Sequence, residues 1–220
     1  DYYYENRKSI VLALTYRATD GSGLNGTFNE SNIMGSESNY DFLAIFDKEF
    51  GDFRIDGSLG ANMMIARTDS KNISANDLVT PDLFTIGNAK GTQGVSQYES
   101  AKEMHSLFGP VNASFKDYLF LSLTARNDWS STLPPEAWSY FYPSFSLGFV
   151  FTDAFGISSD VLSFGKIRGG WASVGRDTSP YMLQPTYSPI GGLWEGNGVY
   201  NLSGTLPNSA LRPESSKSTE

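Results

Sequence analysis

Phe53-Arg54-Ile55-Asp56-Gly57-Ser58-Leu59-Gly60-Ala61-Asn62-Met63-Met64-Ile65-Ala66-Arg67 is the stretch whose reading decides the fold. Phe53, Ile55, Gly57, Leu59, Ala61, Met63 and Ile65 form one set; Arg54, Asp56, Ser58, Gly60, Asn62 and Met64 form the other. Successive side chains on a strand point to opposite faces, so one face is apolar and the other mostly polar. A period of two held this long exceeds what a short sandwich strand requires. It suits a tilted membrane-spanning strand, which needs about 9–11 residues. The apolar face therefore meets either lipid or a protein core.

The same period recurs outward from this stretch. Tyr40, Phe42, Ala44 and Phe46 alternate with Asp41, Leu43, Ile45 and Asp47. Leu107, Val111, Ala113 and Phe115 alternate with Ser106, Phe108, Asn112 and Ser114. Leu119, Leu121, Leu123 and Ala125 alternate with Phe120, Ser122, Thr124 and Arg126. Phe141, Phe145, Leu147, Phe149 and Phe151 alternate with Tyr142, Ser144, Ser146 and Gly148, and Ile167, Gly169 and Trp171 with Lys166, Arg168 and Gly170. A less regular run at Ile10 to Arg17 also reads as strand. This makes about seven antiparallel strands and no comparable helical pattern.

The connections alternate in length. Phe50-Gly51-Asp52 and Lys116-Asp117 are tight hairpins. The links 18–38, 68–103 and 128–140 are long and rich in Gly, Ser, Asn, Asp and Thr; 153–163 is intermediate and falls by parity on the short-turn side. Short turns at one end and long loops at the other characterise a transmembrane barrel. Aromatics at strand ends (Tyr40, Phe50, Phe53, Phe115, Tyr118, Tyr142, Phe149 and Phe151) suit the girdles such barrels carry at both interfaces, although aromatics are common in strands generally.

Composition agrees. Among 220 residues are 22 Gly, 15 Phe, 12 Tyr and one His, with a formal net charge of −8, against the basic face of a nucleic-acid binder. The absence of cysteine excludes a disulfide framework, thiolate metal sites and cysteine catalysis. No run of 18 apolar residues suggests a membrane helix. The negative mean hydropathy of −0.29 is compatible with a barrel, whose strands carry only alternate apolar residues. The N-terminal Asp1-Tyr-Tyr-Tyr-Glu-Asn-Arg lacks the apolar core of a signal peptide, and both ends read as cuts through a longer protein.

No catalytic constellation, metal site or cofactor motif is evident. His105 has no nucleophile elbow nearby. Asp41, Asp47 and Glu49 read more simply as a solvated face than as a glycosidase pair. Gly21-Ser-Gly23-Leu-Asn-Gly26 lacks the strand-then-helix context of a nucleotide-binding loop.

Several segments resemble one family. Arg126-Asn-Asp128-Trp-Ser130-Ser131 resembles the R-x-D-G-S-S motif of the SusC/RagA family, TonB-dependent outer-membrane transporters of Bacteroidota. Tyr142-Pro143-Ser144-Phe-Ser146-Leu-Gly-Phe149 resembles its F-P-S-x-S-x-x-W, and Thr152-Asp153-Ala154-Phe155 follows where the family often has an acidic turn. Gly165-Lys166-Ile167-Arg168-Gly-Gly-Trp171-Ala-Ser-Val-Gly175 resembles K-L-R-x-S-x-G-x-x-G. Leu206-Pro207-Asn208-Ser-Ala-Leu211-Arg212-Pro213-Glu214 with Glu220 resembles N-x-x-L-K-P-E…E, and Leu78 to Phe84 with Asn88-Ala89 resembles a loop of the family. Trp129, Phe149, Ala154 and Arg176 depart from the pattern.

The resemblance implies that residues 1–220 are part of the barrel domain of a receptor of about 22 strands with a plugged lumen. The plug would lie outside this segment. Such a segment would not fold stably alone, because lipid cannot satisfy its open edges. The resemblance further implies import of glycans or peptides, with no enzymatic chemistry. Partners would be a SusD-like surface lipoprotein, TonB acting through the plug, outer-membrane lipid, the remaining barrel strands and a possible larger complex. Location would be the outer membrane of a Gram-negative, Bacteroidota-like cell.

Candidate substrate-binding residues are the loop aromatics Trp129, Trp138, Tyr140, Tyr187 and Trp194; loop packing explains them equally well. Arg54, Asp56, Arg126, Lys166 and Arg168 are candidate lumen-facing residues, for substrate, plug or simple hydration. Competing readings are a passive porin, a soluble β-sandwich carbohydrate-binding module, and a barrel serving a secretion assembly.

Overall fold

The computed structural model describes residues 1–11, 25–159 and 161–220. Its strands are β1 (Tyr2–Val11), β2 (Thr27–Phe50), β3 (Phe53–Asn76), β4 (Gly94–Phe115), β5 (Leu119–Ser130), β6 (Ser139–Val150), β7 (Lys166–Arg176), β8 (Tyr187–Trp194), β9 (Asn197–Leu202) and β10 (Glu214–Thr219). One eight-stranded sheet runs in the order β1-β2-β3-β4-β5-β6-β7-β10, and β8–β9 form a separate hairpin within the link from β7 to β10. Every strand pair whose register is described is antiparallel. The fold is all-β, with β1 and β10 as the two edges of this sheet.

Six of the seven expected strands coincide with β2 to β7. The run Ile10 to Arg17 overlaps β1 at Ile10 and Val11; its remainder, like most of the Gly21 to Gly26 stretch, lies outside the described residues. Three expected long loops are shorter than expected. β2 already begins at Thr27, β3 continues to Asn76 and β4 starts at Gly94, which leaves 77–93 of the expected 68–103. The link 128–140 shrinks to 131–138. These stretches are mostly polar, with large apolar residues such as Phe28, Val95 and Trp129 too sparse to sustain a period of two. Phe151, expected to continue β6, opens a single helical turn, α1 (Phe151–Ala154).

The chain divides into two compact units. The first comprises residues 1–38 and 65–101. Here β1 pairs with β2 from Tyr2↔Ser36 to Val11↔Thr27. A small core of Phe28, Ala75 and Leu78 is flanked by Phe84, Ile86 and Ala89. Buried Asn88 holds the loop over it: its amide donates to Thr80 O at 2.7 Å and Leu83 O at 2.8 Å, and its Oδ1 accepts from Thr80 N at 3.0 Å. The family-like residues Leu78 and Asn88 are therefore the plug and the knot of this loop.

The second unit comprises residues 39–64 and 102–220. Its short turns lie side by side, with Lys116 N donating to Asp52 O at 2.9 Å and Val150 N to Tyr118 O at 2.7 Å. Gly51 takes φ +61°, and Lys116 and Asp117 take φ 48° and 57°, the paired positive values of a type I′ turn closed by Tyr118 N to Phe115 O. The 153–163 link does fall at this end.

Register separates two faces in this unit. On one, Phe115, Leu119 and Phe149 are aligned, as are Ala113, Leu121 and Leu147, and Val111, Leu123, Phe145 and Trp171. On the other, Asn112, Ser122, Ser146 and Gly170 align, as do Phe108, Arg126 and Tyr142. The apolar face is open: Phe42 is 64% exposed, Phe145 49% and Ile167 64%. A β-sandwich would close such a face against a second sheet, because each large apolar side chain left in water forgoes about 1.5–3 kcal/mol. Among the described residues no helix is long and apolar enough to cross a membrane, which says nothing of strands.

Candidate functional site

The apolar face carries an aromatic ladder along its short-turn end. Ring centroids follow one another at 4.5 Å (Phe53–Phe115), 5.6 Å (Phe115–Tyr118), 6.2 Å (Tyr118–Phe149) and 6.0 Å (Phe149–Phe155). Phe155 joins because α1 turns the chain back beneath β6, with Thr152 Oγ1 accepting from Gly165 N at 3.2 Å. Tyr142, expected in this girdle, stands on the opposite face, hydrogen-bonded to Asp128. At the other end of the apolar face are Trp129, His105 and Ser139, mutually in register. From Leu119 to Trp129 a strand climbs about 33 Å at about 3.3 Å per residue. Tilted by about 45°, it rises about 23 Å, against about 25 Å for an outer-membrane apolar band.

All five charged residues expected on the polar face share it. Arg54 pairs with Asp47 at 2.7 Å and reaches Glu49 at 3.8 Å. Asp56 accepts from Asn112 Nδ2 at 2.8 Å. Lys166 Nζ stands 5.3 Å over the ring of Phe120, and Arg168 pairs with Glu220. Lys166, Arg168, Phe120, Ser146 and Glu220 help line a hollow of about 280 Å³. Arg126 is engaged more deeply: Nε donates to Asp128 Oδ1 at 2.8 Å and Nη2 to Ser106 Oγ at 2.9 Å, with the guanidinium 5.5 Å from the Phe108 ring. The Tyr142 hydroxyl donates to the second oxygen of Asp128.

This network explains the family-like motif physically. Arg126, Asp128 and Ser130 are successive polar-face residues of β5. Ser131 closes the strand, its N–H donating to Glu103 O at 3.0 Å and its Oγ accepting from Glu103 N at 2.9 Å. Gly175 serves the next motif: a Cβ there would lie 2.8 Å from Tyr140 Cδ2 and 3.3 Å from Tyr142 Cδ1, so the glycine admits the two stacked rings.

Sequence reasoning missed Asp177. Its carboxylate pairs with Lys102 Nζ at 2.7 Å, accepts from Thr132 Oγ1 at 3.2 Å, and accepts from the Ser130 hydroxyl. Burial pushes its pKa up, but hydrogen bonds from Lys102 and Ser130, the Lys102 charge and Thr132 outweigh this and hold it below the usual carboxylate range. No local signal marks it, since its partners lie 45 to 75 residues away in sequence.

The five aromatics proposed for substrate do not converge. Trp129 lies within β5 rather than in a loop, on the apolar face. Trp138 ends the 131–138 link, and the two border one shallow depression with Glu103 and His105. Tyr140 is on the polar face, stacked on Tyr142 with centroids 5.8 Å apart. Tyr187 and Trp194 are exposed at opposite ends of β8, Trp194 beside a turn with Glu195 at φ 49° and Gly196 at φ 83°. Among the described residues no group of three His, Asp or Glu could hold a metal ion.

The sequence profile of the family described as TonB dependent receptor-like, beta-barrel matches residues 1–220. The chain belongs to this family. It is a family of outer-membrane receptors and transporters rather than enzymes. No curated protein matches the chain. Among solved structures, that titled "Structure of the RagAB peptide transporter" superposes with a TM-score of 0.81 at 15% identity, over 99% of this chain and 24% of that one. The RagAB peptide importer in its "closed-closed" state gives 0.80 and in its "open-open" state 0.78, with the same identity and coverage. The SusC/RagA resemblance read from the motifs stands. The chain spans about a quarter of the length of the solved structures it matches.

Proposed function

We propose that this chain is part of the barrel wall of an active transporter that imports oligopeptides, or alternatively glycans, across the outer membrane of a Bacteroidota-like cell. The observation that carries the reading is the two-faced sheet: an open apolar face bounded by an aromatic ladder, backed by a polar face of paired charges. The first suits lipid and the second a hydrated lumen. Arg54, Asp56, Arg126, Lys166 and Arg168 line that lumen, largely as a self-paired hydrated wall. Trp138, Tyr187 and Trp194 are candidates to meet solute or partner at the outward end, with Trp129 at the lipid boundary and Tyr140 facing inward.

The fold of the RagAB peptide importer favours peptides as cargo. Energy would come through TonB acting on a plug domain in the rest of the protein, and a SusD-like lipoprotein would cover the outward cavity. The protein contributes position and passage, without covalent chemistry on the cargo. The test is uptake of fluorescent oligopeptides by cells with and without the full-length protein, with and without a protonophore. Uptake lost in both the deletion and the protonophore arm supports active import; protonophore-insensitive uptake indicates a passive porin, and unchanged uptake in the deletion overturns the reading.

A further inference from the structure

β7 and β5 are separated by β6, so their backbones lie two strand spacings apart, about 10 Å, and β4 is about 14 Å away. Yet Asp177, the first residue beyond β7, is hydrogen-bonded to Ser130 at the end of β5, to Thr132 just after it, and to Lys102 on β4. The short Asp and Ser side chains joined by a hydrogen bond of about 2.7 Å fall short of that span. The backbone leaving β7 must therefore lean across β6. Gly175, two residues earlier, admits the Tyr140 and Tyr142 rings on the same side, so the chain crosses over the polar face.

Asp177 is suited to holding this crossing rather than to binding a solute. Its side chain is only 10% exposed, and both oxygens are engaged, Oδ1 by Lys102 and Oδ2 by Lys102, Ser130 and Thr132. Its charge is met by a lysine that is itself 23% exposed. Ser130 and Thr132 are buried, with their hydroxyl oxygens 2.9 Å apart and both turned to the same carboxylate. Three buried or nearly buried partners on other elements form a built socket for one carboxylate.

We propose that Asp177 is a positioning residue that straps the chain leaving β7 inward over the polar face, and that this strap narrows the outward mouth and sets the upper length of oligopeptide admitted. The proposal rests on the import reading above. The strap acts by exclusion: it takes lumen width without presenting charge, so it selects by size rather than by sign.

The experiment uses the full-length protein in intact cells. The chain contains no cysteine, so introduced thiols in it stand alone. In the first arm, Tyr140→Cys with Gly175→Cys, which leaves Asp177 in place, should form a disulfide on mild oxidation, because a Cβ at Gly175 lies 2.8 Å from the Tyr140 ring, while Tyr140→Cys with Glu195→Cys should not. In the second, a ladder of fluorescent oligopeptides of increasing length is supplied to wild type, Asp177→Asn and Lys102→Met. The variants should raise uptake of the longest peptides relative to the shortest by about tenfold, with the shortest changed less than about twofold. A purely structural role would lower uptake at all lengths together, tracking the amount of protein in the membrane, and would leave the ratio unmoved. No disulfide in the first pair overturns the strap. A disulfide with an unchanged length ratio overturns its selective role. A wild type that takes up no peptide defeats the import reading and length selection with it, while the disulfide still reports the strap.

Discussion

The guanidinium of Arg126 and the carboxylate of Asp128, two residues apart on β5 and therefore on one face, meet at 2.8 Å, with the Asp128 side chain only 4% exposed. The second carboxylate oxygen takes the Tyr142 hydroxyl. Removing Asp128 leaves a half-buried cation and a phenol unpaired. Breaking such a pair from one side costs more than the pair itself contributes. Asp128→Ala is expected to destabilise the full-length protein by about 2–4 kcal/mol, and Asp128→Asn by less. The temperature at which the folded band is lost on a detergent gel measures this; equal stability of wild type and Asp128→Ala would make the network dispensable.

Sidedness gives a sharper contrast. Leu123 and Thr124 are neighbours on β5, both exposed, on opposite faces. Arginine at a lipid-facing mid-membrane position of a barrel costs about 2–4 kcal/mol, whereas a lumen-facing one is tolerated. Leu123→Arg should impair stability or assembly by that amount and Thr124→Arg by under about 1 kcal/mol, read from urea unfolding in lipid vesicles. Equal effects would mean that the apolar face does not meet lipid.

Asn88 secures the 77–93 loop through three backbone groups. Asn88→Ala leaves them without partners, at about 1–3 kcal/mol. Because the loop covers a small core of Phe28, Ala75 and Leu78, its opening should stay local. Amide exchange should accelerate in 77–93 and remain unchanged in β5 and β6. Uniform acceleration would show that the loop supports the whole sheet instead.

Asp177 gives a pH dependence with a definite sign. Its folded pKa is lowered, so the stabilisation is fully present above the unfolded carboxylate value of about 3.9 and is lost as pH falls through the folded value. A thiol introduced at Thr178→Cys should become more reactive toward a pH-tolerant thiol reagent as pH drops below about 3.9. In the Asp177→Asn background this acid step should vanish. A step that persists there would assign it to another group.

What the sequence disclosed follows where solvent differs between faces. β3 to β7 were legible because Phe53, Leu121, Phe145 and their sets form one apolar face while Asp56, Ser122 and Ser146 lie on the other. The first half of β2 holds only Phe28, Ile33 and Met34 as large apolar residues, and β10, Glu-Ser-Ser-Lys-Ser-Thr, holds none, so neither carried a sustained alternation. Trp129 read as loop because Asn127, Asp128, Ser130 and Ser131 surround it with turn-forming residues. Backbone pairing with His105 and Ser139 overrides that local preference. The charged polar-face residues followed from parity alone. Asp177 and its socket depend on contacts between distant segments, which no periodicity encodes.

A sheet with one apolar and one polar face, in a chain of this family, belongs to a closed barrel in the outer membrane. The most direct test is electrophoresis of the full-length protein from mildly solubilised outer membranes, in SDS with and without boiling, followed with an antibody to this segment. The expected result is an SDS-resistant band whose mobility changes on boiling. A soluble protein with the same mobility in both lanes would contradict it.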